Sequence, residues 1–369
     1  MLVTILAFVI ILSVLVLIHE FGHFVLAKKY GIKVEEFGFG FPPRIFGIKK
    51  GETIYSINLL PVGGFVKLYG EDEAGGGSVK IPKSELHIKK DVNRAFFSRP
   101  AWQRLTISVA GVVMNFLLAV VLISYLFASQ GVALPTKNVK IVEVLKNTPA
   151  EKAGIKSGDL VVSVNNKAIT SNNDFINETK THLGETIDVK IKRGGTVSDV
   201  KLAPRKNYPK GEGPLGVGIS NVELKKYVWY EAPVFGTIEA VNFSYLIAKG
   251  LFDMLFNLVV HGTKPTGVAG PIGVAQLTGQ AVSYGLNATL WFAALLSLNL
   301  AVLNVLPIPA LDGGRLFFIL IEIVTGRKIN PKYESYAHIA GLIVLLSLMG
   351  AVTIFDVLRL ISGKSILNP

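Results

Sequence analysis

An apolar run with three ionisable side chains in its middle constrains this chain more than any other feature. Residues 14–30 read VLVLIHEFGHFVLAKKY, and residues 1–18 carry no charge. Together they are long enough to cross the roughly 30 Å hydrocarbon core of a bilayer. An ionisable side chain at that depth costs roughly 2.5–3.5 kcal/mol on insertion scales and usually lines a site. A cleaved signal peptide fits poorly, because no Lys or Arg precedes the run and no small-x-small cleavage site follows it. The ionisable residues form His19-Glu20-Phe21-Gly22-His23, an H-E-x-x-H. On a helix, positions i and i+4 share a face, so both imidazoles can bind one zinc ion, with Glu20 beside the metal. Zinc lowers the pKa of a bound water to about 7, and a neighbouring carboxylate can take its proton.

Composition fits a membrane protein. Half of the 369 residues are hydrophobic, 17% are charged, and mean hydropathy is +0.48. The net charge of +12 is spread along the chain, with no basic stripe interleaved with aromatics. Nucleic acid is therefore set aside as a partner, and anionic lipid headgroups are favoured. The chain has no cysteine, so disulfides and thiolate metal sites are excluded and any metal must be held by His, Asp or Glu.

The expected fold class is a polytopic α-helical membrane protein with four transmembrane helices, a membrane-associated β-hairpin region and one inserted α+β domain. The spans are residues 1–30, 105–129, 286–314 and 336–362. Residues 31–104 alternate apolar and polar positions between Gly/Pro turns, which reads as strands and hairpins at the membrane surface. Within them, the Gly-, Lys- and Glu-rich stretch 71–93 reads as a mobile linker. Residues 137–205 form a compact unit of alternating strands around one clear helix. Residues 206–285 are a connector ending in an amphipathic helix, interrupted at Lys249-Gly250, that suits the membrane surface. Residues 315–335 are an interfacial segment. Lys and Arg concentrate in the loops after the first and third spans, which puts those loops in the cytoplasm. Both termini and the inserted domain then face outward.

A catalytic zinc usually needs a third protein ligand and one open position. Asp312 is the leading candidate. It follows the third span in NLAVLNVLPIPALDGGR, where Pro307 and Pro309 remove backbone donors and force an extended break. A turn or helix-cap role would also explain Asp312. Asn304 is a second polar group on the same segment, suited either to a helix–helix hydrogen bond or to the site. Gly111 and Asn115 lie four apart on the second span and suit close helix packing with a polar tie.

These motifs resemble the site-2 protease family of intramembrane zinc metalloproteases (peptidase M50), in its bacterial form with a single PDZ domain. His19-Glu20-Phe21-Gly22-His23 matches the H-E-x-G-H form, and Asn304-x-x-Pro307-x-Pro309-x-Leu311-Asp312-Gly313 matches the second signature. The segments FGFGFPPRIF, INLLPVGGFVKLYGE and GVAGPIGVAQ also fit. Residues 137–205 resemble the circularly permuted PDZ fold, with Asn166 where Gly is usual. The resemblance implies one Zn2+ per chain, bound by His19, His23 and Asp312, with Glu20 as general base. It also implies substrate contacts at Asn304, Pro307 and Pro309, and support of the site by Gly111 and Asn115. The implied substrate is a single-span membrane protein of the anti-sigma-factor type, or a leftover signal peptide, cut near the cytoplasmic face of a bacterial inner membrane. A peptide, or only a size limit, is then expected at a PDZ groove between residues 139–145 and the helix at 173–181. Two other readings stay open: a divalent-metal transporter, and a catalytically silent PDZ membrane scaffold.

Overall fold

A computed structural model describes residues 2–71, 92–209, 211–262 and 269–362. Most of the linker expected at 71–93, and the start of GVAGPIGVAQ, lie outside the described residues. The chain divides into two compact units, Met1–Leu126 with Trp229–Pro369, and Phe127–Val228.

In the first unit, helix α1 (Leu2–Lys29) contains no proline and a single glycine, and it ends at Lys28 and Lys29. Strands β1 (Val34–Lys50) and β2 (Thr53–Leu68) follow. β2 is long enough to serve β1 twice. Gly64–Leu68 partners one side of β1, from Phe39–Gly64 to Val34–Leu68, and Ile54–Ile57 partners the other, from Glu36–Ile54 to Phe39–Ile57. The stretch 64–68 is thus an outer strand, with one side free of β1. Ala27, Ile32, Val34, Leu68, Phe96 and Ile107 form a buried knot that fixes this strand beside α1. Glu52, in the β1–β2 turn, accepts from Arg94 and Lys28, each at 2.8 Å. The Arg94 hydrogen bonds, with help from Lys28, hold its carboxyl down at about 2.

Helix α2 (Ala101–Ser129) runs antiparallel to α1, with Ala110 against Gly22 and Asn115 against His19. A Cβ on Gly22 would lie 2.5 Å from the Ala110 carbonyl oxygen, so the glycine sets the approach of the two helices. Arg104 of α2 donates at 2.6 Å to Glu322, a well-shielded ion pair. Such pairing is what ionisable groups need when water is scarce.

Strands β3 (Val132–Val144), β4 (Leu160–Val164), β5 (Lys167–Ala168), β6 (Ile187–Arg193), β7 (Thr196–Leu202) and β8 (Val217–Lys225), with helices α3 (Pro149–Lys152) and α4 (Asn172–Thr181), build the second unit. The sheet order is β7-β6-β4-β3-β8, with β5 on β4. Alternate residues of β6, Ile187, Val189 and Ile191, point into a core that includes Val139, Ile141, Val161, Val164 and Phe175. The groove expected along residues 139–145 is not open. β3 is paired with β4 at Val139–Val161 and with β8 from Lys140–Ser220 to Val144–Val217, so its backbone groups are used on both sides. The strand edge near α4 belongs to β8, where Asn172 donates to Asn221 at 3.2 Å.

Asp159 is buried in this unit and accepts from Arg193 at 2.6 and 2.7 Å and from the Lys156 N–H at 2.8 Å. The Arg193 bonds hold its carboxyl below the ordinary 3.8. A carboxyl depressed on folding adds stability above its unfolded value, and that stability is lost as pH falls through the folded value. Arg193→Met is therefore expected to lower stability near pH 7. The gap from wild type should close in acid, once Asp159 is protonated in both chains. Thermal melts of the two chains across pH check this.

Back in the first unit, α5 (Ala232–His261), α6 (Pro271–Ser283), α7 (Leu286–Val305), α8 (Asp312–Thr325) and α9 (Pro331–Ile361) complete the chain. The interruption expected at Lys249-Gly250 is absent, and α5 is one unbroken helix of 30 residues. A glycine such as Gly250 costs a helix interior only about 1 kcal/mol, and the proline of α5, Pro233, sits in the first turn, where it is tolerated. Among the described residues, five helices, α1, α2, α5, α7 and α9, are thus long and apolar enough to cross a membrane, against four expected. Asp356 of α9 is buried, and its Oδ2 accepts the Gly273 N–H at 2.8 Å. This gives GVAGPIGVAQ a structural role: a carboxylate from a distant helix satisfies the start of α6.

Candidate metal centre

α1 presents His19 and His23 on one face, and α2 crosses that face at Gly111. A Cβ on Gly111 would lie 2.5 Å from both His19 Cε1 and His23 Nε2, so glycine leaves room for the two rings. α7 ends at Val305, and α8 begins at Asp312 itself. Leu311 takes the cap position of α8, and Asp312 is its first helical residue. Asp312 Oδ2 lies 2.8 Å from His19 Nε2 and 3.3 Å from His23 Nε2. The two Nε2 atoms are 3.2 Å apart. Three electron-rich atoms this close repel unless a proton or cation lies between them. Two imidazole nitrogens and a carboxylate oxygen, with no thiolate, are a donor set that suits catalytic zinc and leaves a fourth position open. Among the described residues this is the one such cluster of three His, Asp or Glu. A transporter would be expected to carry ligand pairs on several helices.

The outer partners of the rings favour the tautomer that ligation needs. His23 Nδ1 lies 2.7 Å from the Ile107 carbonyl oxygen, which can only accept, so its proton is on Nδ1 and Nε2 offers a lone pair. The Asn115 amide is buried, 3.4 Å from His19 Nδ1, and its Oδ1 has no partner among the described residues. Half a turn of the amide gives Oδ1 to an Nδ1–H and frees His19 Nε2 in the same way. Ser297 of α7 donates to the Asn115 carbonyl oxygen at 2.7 Å and holds this part of α2. Asn115→Leu is expected to weaken zinc retention about 10–100-fold, as loss of an outer partner does elsewhere. Competition with a chelator of known affinity measures it.

Glu20 Oε2 accepts the Val66 N–H of β2 at 3.0 Å. Two cavities meet at Glu20 and Asp312. One, of about 440 Å³, is bordered by Phe65, Val66 and Lys67 of the outer strand and by His23, Glu71 and Arg315. The other, of about 210 Å³, is bordered by His19, Asn115, Leu300, Asn304 and Leu311. Asn304 is thus beside the cluster. Pro307 and Pro309 border neither cavity, and Pro309 packs on Gly341 of α9.

Sequence reasoning passes over several groups here. Arg315 pairs with Glu71 and stacks on Phe96, with 5.6 Å from guanidinium carbon to ring centre. Its signal was its place directly after Asp312-Gly313-Gly314. The Val66 N–H and the Ile107 carbonyl are backbone groups and leave no mark in the sequence.

The sequence matches peptidase family M50 over residues 7–348. A Clostridium acetobutylicum protein whose name classes it with zinc metalloproteases is 38% identical over 94% of each chain. The regulator of sigma-W protease RasP of Bacillus subtilis is 31% identical over 97% of this chain and 99% of its own. The zinc metalloprotease RasP of Oceanobacillus iheyensis is 30% identical with the same coverage. The match runs through both halves of the metal centre, spanning His19 and Asp312 alike, and the chain belongs to peptidase family M50, the site-2 protease family of zinc metalloproteases.

Proposed function

We propose that this chain cuts single-span membrane proteins inside the bilayer, with one zinc ion per chain held by His19, His23 and Asp312 and with Glu20 as general base. The observation that carries the reading is the cluster that Asp312 forms with His19 and His23 of an apolar helix, next to a carboxylate and a strand with one side free of β1. The RasP relative is named as a regulator of sigma-W, which supports a substrate of the anti-sigma-factor type. Signal-peptide remnants form a second class with the same single-span chemistry.

A zinc ion at these ligands would acidify a water and polarise the scissile carbonyl. The protein supplies the rest. Val66 N–H holds Glu20 Oε2, which leaves Oε1 to accept the proton of the attacking water and pass it to the leaving amine nitrogen. A helical substrate hides its carbonyls in its own hydrogen bonds, so it must unwind. The side of residues 64–68 turned away from β1 offers its backbone groups, other than the Val66 N–H, to an extended segment. Asn304, across the cluster, is suited to hold the substrate or the developing oxyanion.

We read the topology as four spans, α1, α2, α7 and α9, with both termini outside. Lys28, Lys29, Arg99 and Arg104 mark the cytoplasmic end of α1 and α2. α5 carries Glu239, Lys249 and Asp253 and has a mean hydropathy of 1.5 in its most apolar stretch, against 3.0 for α1. Thr4, at the outer end of α1, meets Gly279 of α6. Only residues 262–270 separate α5 from α6, and they extend at most about 31 Å. A crossing α5 would leave them no slack to return, so α5 lies along the outer leaflet. The second unit is then an extracytoplasmic PDZ-type domain, with the free edge of β8 as the place for a peptide.

The test is cleavage of a single-span peptide in liposomes, with the cut mapped by mass spectrometry. The expected cut lies inside the hydrophobic segment, disappears on chelation and returns with zinc. Cleavage confined to the flanking soluble residues, or unaffected by chelation, would contradict the reading.

A further inference from the structure

The break between α7 and α8 can be followed donor by donor. Backbone N–H groups at membrane depth must find partners inside the protein. Leu306 donates back to Leu303 in the last turn of α7, and Ile308 to Leu306 and Leu311 to Ile308 within the segment. Pro307 and Pro309 have no donor to satisfy. Ala310 differs. Its φ is +78°, a left-handed conformation that a side chain disfavours. Its N–H leaves the segment and donates at 3.0 Å to His338 Nδ1, on α9. One turn further along α9 is Gly341, where a Cβ would lie 2.5 Å from both Pro309 Cβ and the Pro309 carbonyl oxygen. The His338 ring also lies against Phe318 of α8, with 5.8 Å between centres.

We propose that His338 and Gly341 of α9 are positioning residues for the metal centre: together they hold the Pro309–Ala310 kink that delivers Asp312 to His19 and His23. Asp312 is two residues beyond the kink and opens α8, so its place follows from the direction in which the chain leaves Ala310. His338 supplies the one acceptor that Ala310 has among the described residues. Gly341 lets α9 approach closely enough for that bond to form. Accepting at Nδ1 requires the neutral ring with its hydrogen on Nε2, and Nε2 is buried with no partner among the described residues.

This inference rests on Asp312 being a zinc ligand, and the experiment separates the two claims. Full-length wild type, His338→Phe, His338→Asn and Gly341→Ala are reconstituted in liposomes. Zinc retention against a chelator, kcat and KM for a single-span peptide, and hydrogen exchange of residues 306–312 are measured. His338→Phe keeps a ring and loses the acceptor. His338→Asn places an acceptor oxygen near the position of Nδ1. For His338→Phe and Gly341→Ala, zinc retention and kcat are each expected to fall about 10–100-fold, with KM within about threefold and faster exchange at Ala310. His338→Asn is expected to recover most of both losses. The inference is overturned if His338→Phe retains zinc and turns over like wild type, or if His338→Asn is as impaired as His338→Phe. A wild type that holds no zinc would overturn the ligand assignment instead.

Discussion

Glu20→Gln is expected to keep its zinc and lose cleavage by about 10²–10⁴-fold, the usual share of a positioned general base. The substitution preserves shape, and its amide oxygen can still accept the Val66 N–H that Glu20 Oε2 accepts at 3.0 Å. The outer strand should therefore stay in place, and substrate should still bind. What is lost is a group able to take a proton from water and give it to the leaving amine. Zinc content by elemental analysis, beside the rate of cleavage of a single-span peptide, gives both halves of the result. A Glu20→Gln chain that cleaves at the wild-type rate would remove Glu20 from the mechanism. One that loses zinc would make Glu20 a part of the metal shell.

The second large effect is expected at Gly111. Alanine within a helix is ordinarily favoured over glycine by about 1 kcal/mol, so on propensity alone Gly111→Ala would stabilise α2. Here the added methyl would stand 2.5 Å from His23 Nε2 and 2.6 Å from His19 Nε2. No real carbon approaches a ring so closely, so either the rings turn away or α1 and α2 separate. Both movements break the alignment with Asp312. Zinc affinity is expected to fall at least about 100-fold, while the helices still form. Circular dichroism with zinc titration checks the pair of outcomes, and wild-type zinc binding by Gly111→Ala would mean that the rings are not packed as described.

Much of the metal centre was legible because its signals are chemical and local. An ionisable cluster in an apolar helix needs a reason wherever it occurs, and HEFGH is five consecutive residues. Asp312 was harder. It is 293 positions from His19, and only the prolines and glycines around it mark an unusual backbone. Against its competing role as a helix cap stand its contacts: Leu311 takes the cap position of α8, and the Asp312 carboxylate faces His19 and His23. Gly111 stood out by its spacing from Asn115 and by the resemblance, but the room it leaves for the two rings depends on where a second helix crosses and is written in no pattern. The same limit explains the groove. Residues 139–145 alternate as a strand should, but alternation does not say which edges are occupied, and β8, some eighty residues later, takes one of them. At α5 the sequence misled in a different way: Lys249-Gly250 reads as a break, yet neither residue removes a backbone donor, and the helix runs through. His338 was invisible for the plainest reason. A lone histidine in an apolar helix has no motif, and its partner is a backbone N–H freed by a kink that forms only in the folded chain.

The central claim is that two histidines and one aspartate from opposite ends of the chain hold one zinc ion. X-ray absorption at the zinc edge, on the purified full-length protein, tests it most directly. The expected spectrum has one zinc per chain, a shell of nitrogen and oxygen at about 2.0–2.2 Å, and the outer scattering of two imidazole rings, all absent from Asp312→Ala. A wild-type chain that cleaves its substrate without zinc, or an Asp312→Ala chain with an unchanged spectrum, would contradict it.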